Sequence, residues 1–123
     1  MSKKDFGGKI NLRKASGARF SLRATLTIDP ATVSVESITN QDGSGDRVFT
    51  NRLPSAEISF ADRGYNYDSL MLSDRDNFTF DEENTNVTFY FTQGFFTGTP
   101  SVSRINGEVT GVKIEAEKIT RRG

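Results

Sequence analysis

Alternation of apolar and polar side chains is the strongest pattern in this sequence. In the segment "ARFSLRATLTI" (18–28) every even position is apolar, whereas the odd positions carry Arg, Ser or Thr. A period of two gives an extended strand one dry face and one polar face. Asp29-Pro30 ends the segment, because proline lacks the N–H that a strand ladder needs. The pattern predicts one long, two-faced strand.

The same rhythm recurs along the rest of the chain. It returns in "TVSVESI" (32–38), "SAEISF" (55–60), "NFTF" (77–80), "NVTFYF" (86–91) and "RINGEVTGVKIEAEKI" (104–119). In the last segment the apolar phase changes at Gly111, which predicts a β-bulge there. The segment "YNYDSLMLS" (65–73) has helical spacing instead and predicts one short helix.

These patterns predict a single domain over residues 1–123, with a flexible basic N-terminal arm at about 1–8. The predicted fold is mostly β, an antiparallel β sandwich or barrel with one short α-helix. "NQDGSGD" (40–46) is typical of a hairpin tip and "DEENTN" (81–86) of an acidic turn. "TQGFFTGTPS" (92–101), with two glycines and a proline, predicts an irregular connection.

Composition excludes several kinds of chemistry. The chain has no cysteine and no histidine, which excludes disulfides, thiolate metal sites and histidine-based catalytic triads. No segment reaches the length of a membrane span. We therefore predict no cofactor and no membrane partner.

Three short motifs partly resemble a calcium loop, a phosphate-binding loop and a catalytic carboxylate pair, but none of them is specific. An EF-hand loop starting at Asp74 would need glycine and glutamate where Thr79 and Thr85 stand. "GSGDR" (43–47) lacks the lysine of a phosphate-binding loop. Glu115 and Glu117 are a pair of carboxylates that acid–base catalysis could use, but a solvated strand face has the same pattern. An enzyme using such Asp/Glu pairs is the least favoured reading.

Charge is divided along the chain although the net charge is zero. Residues 29–83 contain twelve acids and four bases, and the two flanking segments contain twelve bases and four acids. Such a division predicts an acidic face or end and basic termini. It is compatible with scattered solvated charge, and also with head-to-tail association of identical copies.

The aromatic run "NVTFYFTQGFF" (86–96) poses a separate question. Strand parity places Val87, Phe89 and Phe91 together on one core-facing side. Phe95 and Phe96 are consecutive, so a regular strand cannot direct both inward, and at least one is expected to be exposed or covered by a partner. Aromatic residues are separated from the basic ones, which disfavours a nucleic-acid platform. A small β-barrel module that binds nucleic acid or carbohydrate remains the alternative.

Taken in order, these elements resemble the phage tail tube proteins of the contractile, Mu-like kind, which are similar to type VI secretion tube proteins. The front half, "ARFSLRATLTIDPATVSVESITNQDGSGDRVFTNRLPSAEISFAD", has the family's long strand, proline turn, Asn-Gln-Asp-Gly tip and P-x-A-x-I-x-F pattern. That pattern occupies Pro54 to Phe60. The back half, "FFTGTPSVSRINGEVTGVKIEA", has the G-x-P turn and the G-E-V-x-G-V strand, and the resemblance spans about residues 8–120.

The resemblance implies a structural virion protein without enzymatic activity. Six copies would form a ring in which inner strands join into a continuous barrel, and stacked rings would form the DNA conduit. Implied partners are other copies of the chain, the tail sheath, the tape measure and the baseplate. DNA would pass through the lumen without specific binding. Implied locations are the tail tube of the virion and the host cytoplasm during assembly.

Contacts between copies are expected at the basic arm, the hairpin tip and the adjacent phenylalanines. The candidate contact residues are Lys3, Lys4, Asp42, Gly43, Asp46, Arg47, Phe95 and Phe96. A DNA channel should be neutral or acidic inside, so that phosphate slides without sticking. Arg19 and Arg23 on the polar face of the first strand would therefore need acidic neighbours if that face lined the channel.

Overall fold

The structure, a computed structural model, describes residues 8–123, and for Ala24 the backbone only. The predicted flexible arm therefore lies almost entirely outside the described residues. The elements are, in chain order, β1 (Ile10–Lys14), β2 (Arg19–Phe20), β3 (Leu22–Asp29), β4 (Val33–Thr39), β5 (Gly45–Asn51), β6 (Ser55–Ala61), α1 (Tyr67–Met71), β7 (Asp76–Glu82), β8 (Val87–Ser103), β9 (Glu108–Glu115) and β10 (Lys118–Arg122).

Two antiparallel sheets share one long ribbon. β9 and β10 both pair with β8 in one continuous register, from Ser103↔Glu108 to Thr88↔Arg122 apart from shifts at bulges. At one end of the ribbon, β7, β1 and β2 add to β8 and form sheet I, with order β2-β1-β7-β8-β10. At the other end, β6 and β3 add to β9 and form sheet II, with order β8-β9-β6-β3.

The core lies between the dry faces of the two sheets and consists largely of phenylalanine. Phe20 packs edge-on against Phe60 and Phe96, with ring centroids 5.4 Å and 5.8 Å away. Phe78 meets Phe96 at 5.3 Å in the same geometry. Such edge-to-face pairs contribute about 0.5–1.5 kcal/mol each beyond the burial of their area. The predicted mostly β, antiparallel fold is confirmed.

The single strand predicted over 18–28 is divided between the two sheets. It is interrupted at Ser21, so that β2 pairs with β1 in sheet I and β3 pairs with β6 in sheet II. Phe20 is buried on one side of the interruption, and Leu22 packs against the same core on the other. Since both sheets direct their dry face at one core, the alternation continues through the break.

The segment 92–101 is not the irregular connection predicted from its glycines and proline. β8 runs through it without a break, and two register shifts absorb the misfit, one near Gln93 and one between Gly98 and Ser101. Gln93 has φ +55°, a left-handed conformation that marks an inserted residue. Pro100 is tolerated because the second half of β8 (95–103) pairs only on its β9 side within the described residues.

Gly111 lies in the predicted bulge of β9. The register shifts between Val109 and Val112, and Gly111 has φ +82°. A Cβ at Gly111 would lie 2.5 Å from the carbonyl oxygen of Thr99. Glycine is therefore required here by both its backbone conformation and its space.

β4 and β5 form a hairpin that stands apart from both sheets. They pair with each other over seven residues each, from Val33↔Asn51 to Thr39↔Gly45, and every residue of both strands is exposed. The sequence pattern suggests that Val33 and Val35 face a core, and the structure places them in solvent instead. An isolated two-stranded hairpin is marginally stable in water, so this element is expected to gain a partner.

The short helix α1 is fixed by polar contacts at its start. Its N-cap is Asn66, whose side chain accepts a hydrogen bond from the backbone N–H of Ser69 at 3.2 Å. The Tyr67 hydroxyl donates to Asp62, and Arg104 on the β8–β9 turn donates to the same carboxylate at 2.9 Å. This network connects the start of the helix to the β8–β9 turn. The prediction of one short helix is confirmed by α1.

Candidate assembly surfaces

Metal clusters and membrane-spanning helices are two features to look for first in the described part of the chain. Residues 8–123 contain no cluster of three acidic side chains that could hold an ion. Phe78 and Phe80, in the stretch tested for a calcium loop, are buried on β7. Among the described helical residues, no segment has the length and apolarity to cross a bilayer. The remaining features of the surface are strand edges, charged faces and the hairpin.

Sheet II has two open strand edges. Within residues 8–123 no strand pairs with the outer side of β3, nor with the second half of β8 on the side away from β9. Its four strands alternate in direction, since every pair in the sheet is antiparallel. Open edges carry unpaired N–H and C=O groups that readily accept a further strand.

The outer face of sheet II is acidic. Phe96, Ile114 and Ile58 point from sheet II into the core, so the residues that alternate with them along each strand point to this outer face. The charged side chains that its strands direct outward are four carboxylates and two cations, namely Asp29, Glu57, Glu108, Glu115, Arg23 and Lys113. Arg75, from outside the sheet, also reaches this face over Phe95 and pairs with Glu117. Lys113 lies directly across from Glu57 in the register, a position in which opposite charges attract.

The outer face of sheet I is basic. Leu12 and Phe20 face the core as a cross-strand pair, which directs Arg13 and Arg19 outward. Lys118 and Arg122 on β10 also point outward. Of the carboxylates on this face, Glu83 lies 3.7 Å from Lys9, and Asp81 has no cation partner within residues 8–123. The two outer faces thus differ in sign, although the division follows the sheets and not the chain segments, since Glu108 and Glu115 of the acidic face belong to the basic C-terminal flank. Arg19 and Arg23, neighbours on the sequence pattern, belong to different faces.

The predicted contact residues of the hairpin tip do come together in space. Asp42 and Gly43 lie in the turn between β4 and β5, and Asp46 and Arg47 are the second and third residues of β5. The Ser44 hydroxyl and backbone N–H donate to Asp42 at 2.6 Å and 3.0 Å and hold the pKa of that carboxyl below its usual range. The Asp42 carboxylate at the tip is therefore ionised at neutral pH. Lys3 and Lys4 lie outside the described residues.

Apolar side chains accompany this charged tip. On one face of the hairpin Val35 is 54% exposed and lies across from Phe49, which is 59% exposed and stacks with Arg47 at 5.2 Å. On the other face Ile38 and Val48 are exposed as well. Both faces of the hairpin can thus contact another protein. The sequence signal was present as alternation, but it does not distinguish a core face from an interface.

Phe95 and Phe96 are divided between the surface and the core. Phe96 is 6% exposed and packs on core rings, so it is withdrawn as a contact candidate. Phe95 points to the outer side, where the guanidinium of Arg75 covers it at 4.6 Å from the ring centroid. The inserted residue at Gln93 shifts the phase, which selects Phe96 for the core. One of the two rings was expected to be exposed or covered by a partner, but Phe95 is half-buried beneath Arg75 of its own chain, and its contact with another copy stays a prediction.

Exposed aromatic rings do not form a stacking platform. Among the described residues the aromatic side chains that are clearly exposed are Phe49, on the hairpin, and Tyr90, on sheet I. Tyr90 has threonines as its cross-strand neighbours, Thr79 and Thr120. Binding of single-stranded nucleic acid requires successive rings along a basic groove, so this arrangement weakens the alternative reading.

Solved structures share this fold at low sequence identity. Hcp1 from Flavobacterium johnsoniae superposes with a TM-score of 0.62 at 17% identity, over 93% of this chain and 94% of that one. The sheath/tube terminator of PVC, an extracellular contractile injection system, gives 0.58 at 8% identity, over 98% and 99%. The tube terminating cap of the anti-feeding prophage gives 0.50 at 12%, over 99% of both chains.

Sequence comparison is decisive at the level of the family. No curated protein sequence matches the chain. The family model for the phage tail tube protein, however, matches residues 4–121, nearly the whole length and both sheets. Taken with the fold, this match means that the chain belongs to the phage tail tube protein family.

Proposed function

We propose that six copies of this protein form a ring, that the rings stack into a hollow tube, and that the tube conducts DNA. The observation that carries the proposal is the four-stranded sheet II with an open edge on each side. In a ring generated by rotation, β3 of one copy meets the second half of β8 of the next. These strands run in opposite directions, so the antiparallel order continues through the interface.

Dimensions support a conduit. Twenty-four strands at about 4.8 Å spacing give a barrel about 37 Å across at the backbone, and strand tilt widens it. The polar outer face of sheet II would line this channel, because its apolar side is already occupied by the core of the subunit. Ring closure would also protect edges that in a free copy invite open-ended pairing.

Charge supports DNA as the cargo. An excess of carboxylates on the channel face would repel phosphate and keep the duplex from adhering. The cations of sheet I would then face away from the lumen, towards the sheath that surrounds the tube of a contractile tail. In this proposal the protein belongs to the tail tube of a virion, is assembled in the host cytoplasm, and contacts sheath, tape measure and baseplate proteins. It carries out no catalysis.

Electron microscopy of the purified protein tests the proposal. Negative-stain images at high protein concentration should show rings with sixfold symmetry or hollow tubes. Analytical ultracentrifugation should show the same material returning to a monomer on dilution. A compact monomer at every concentration, with the hydrogen-exchange protection of β3 equal to that of the central strand β6, would contradict it.

A further inference from the structure

An open groove of about 600 Å³ lies beside β1 and β2, at the rim of the basic face. β2 pairs only with Leu12 and Arg13, so the Ile10–Asn11 part of β1 has no strand on that side within the described residues. After β2 the chain continues through Ser21 and Leu22, which also line the groove. The groove is therefore bounded by an open strand edge and is accessible from solvent.

The groove contains two like charges that face each other, an arrangement that is unfavourable in a free subunit. Arg13 and Arg19 are directly opposite each other on adjacent strands, and like charges in that position repel. Within residues 8–123 neither has an acidic partner in an ion pair. The nearby Glu83 is already engaged, since Lys9 lies 3.7 Å from it and Asn11 donates to it at 2.8 Å. An incoming carboxylate would relieve the repulsion between the two arginines.

We propose that this groove receives the β4–β5 hairpin tip of a second copy, with Arg13 and Arg19 pairing with Asp42 and Asp46 of that copy. The hairpin supplies the complementary features together, because it carries carboxylates at its tip and exposed apolar side chains behind it. Ile10 and Leu22 give the groove matching apolar surface. This inference rests on the assembly proposed above and names the receptor for its protruding element.

A protein segment fits the groove better than a nucleic acid does. Asp81 and Glu83 line the same groove, so a continuous line of phosphates would have to pass these carboxylates, whereas a compact tip can place its two carboxylates beside Arg13 and Arg19 alone. A hairpin tip presents two carboxylates at fixed positions and an apolar flank, whereas a phosphate backbone presents a continuous line of charge. The occupant is therefore a folded acidic tip.

The contact is necessarily between different copies and is of the head-to-tail type. In the structure the hairpin packs against no other element of its own chain to any appreciable extent. Seven residues per strand give it a length of about 23 Å, enough to cross to a neighbouring subunit. Because the donor and receptor surfaces differ, the contact propagates from copy to copy and does not close a dimer.

Reciprocal charge reversal tests the pairing. Arg13→Glu/Arg19→Glu and Asp42→Lys/Asp46→Lys should each raise the protein concentration required for assembly at least tenfold. The fourfold variant that combines them should assemble near the original concentration. Lys118→Glu/Arg122→Glu, which reverses two charges of the same face outside the groove, is the control. If both reversals leave assembly of tubes unchanged, the inference is wrong while the proposed function stands.

Disulfide trapping gives a second test that does not require complete tubes. The chain has no cysteine, so Gln41→Cys at the tip mixed with Ser21→Cys at the groove can form a mixed disulfide only between copies. Under mild oxidation at high concentration we expect a cross-linked dimer of that pair, and far less with Asp68→Cys in place of Ser21→Cys. Equal yields from the two mixtures would overturn the inference, whether or not rings form.

Discussion

Truncation of Phe96 should destabilise the protein far more than truncation of its neighbour Phe95. Phe96 is nearly inaccessible and makes edge-on contacts with Phe20 and Phe78. Removing a buried Phe side chain costs about 3–5 kcal/mol, which includes the cavity left behind. Phe95 is half-buried on the outer side, where it loses the guanidinium contact of Arg75, about 0.5–1 kcal/mol, and part of its buried area. For Phe95→Ala we therefore expect about 1–1.5 kcal/mol.

Urea unfolding followed by far-UV circular dichroism measures both values on the same scale. The two variants remove the same atoms from adjacent positions, so helix and strand propensity and the unfolded state are closely matched. Phe96→Leu, which keeps most of the volume, provides a milder variant if Phe96→Ala fails to fold. Equal losses for Phe95→Ala and Phe96→Ala, or a larger loss for Phe95→Ala, would refute the phase shift at the bulge in β8.

Further perturbations test the backbone and the polar network. Gly111→Ala should destabilise by at least about 1–2 kcal/mol, because φ there is left-handed, whereas Gly45→Ala should be nearly neutral in the same urea assay. Burial and the hydrogen bond to Asp62 raise the pKa of Tyr67 to about 12, so ultraviolet titration should show a late phenolate that Tyr67→Phe removes. The stability that this neutral tyrosine contributes should be intact below pH 10 and lost as the pH rises towards 12. The hydroxyl of Tyr67 and the backbone N–H of Gly64 hold the pKa of Asp62 below its usual range, so acid should weaken the protein as Asp62 protonates, and Asp62→Asn should flatten that decline.

Local pattern predicts the elements of this fold and misses their partition between two sheets. The alternation in 18–28 identifies extended backbone, but the break at Ser21 follows from which partner strand each half meets. In β8, two register shifts, one at the left-handed Gln93 and one between Gly98 and Ser101, preserve the strand through glycines and a proline that predict a loop. Such a bulge is stabilised by neighbouring strands, and its own sequence carries little signal.

For the candidate assembly surfaces, too, some features are predictable from the sequence and others depend on the tertiary structure. Asp42 and Gly43 are identified as a tip from their turn chemistry alone, and the structure places them there. The pairing of Arg13 with Arg19 depends on cross-strand register, which emerges only from the topology. Exposure of Val35 and Phe49 is likewise invisible in sequence, because alternation is the same for a core and for an interface.

A helical reconstruction of the assembled particle, at a resolution that separates β-strands, tests the central claim most directly. The account predicts six subunits per ring, with β3 of each copy hydrogen-bonded to residues 95–103 of the next and with Glu57 and Glu115 facing the channel. A tube whose channel is lined by Arg13 and Arg122, or rings in which β3 remains unpaired, would contradict it.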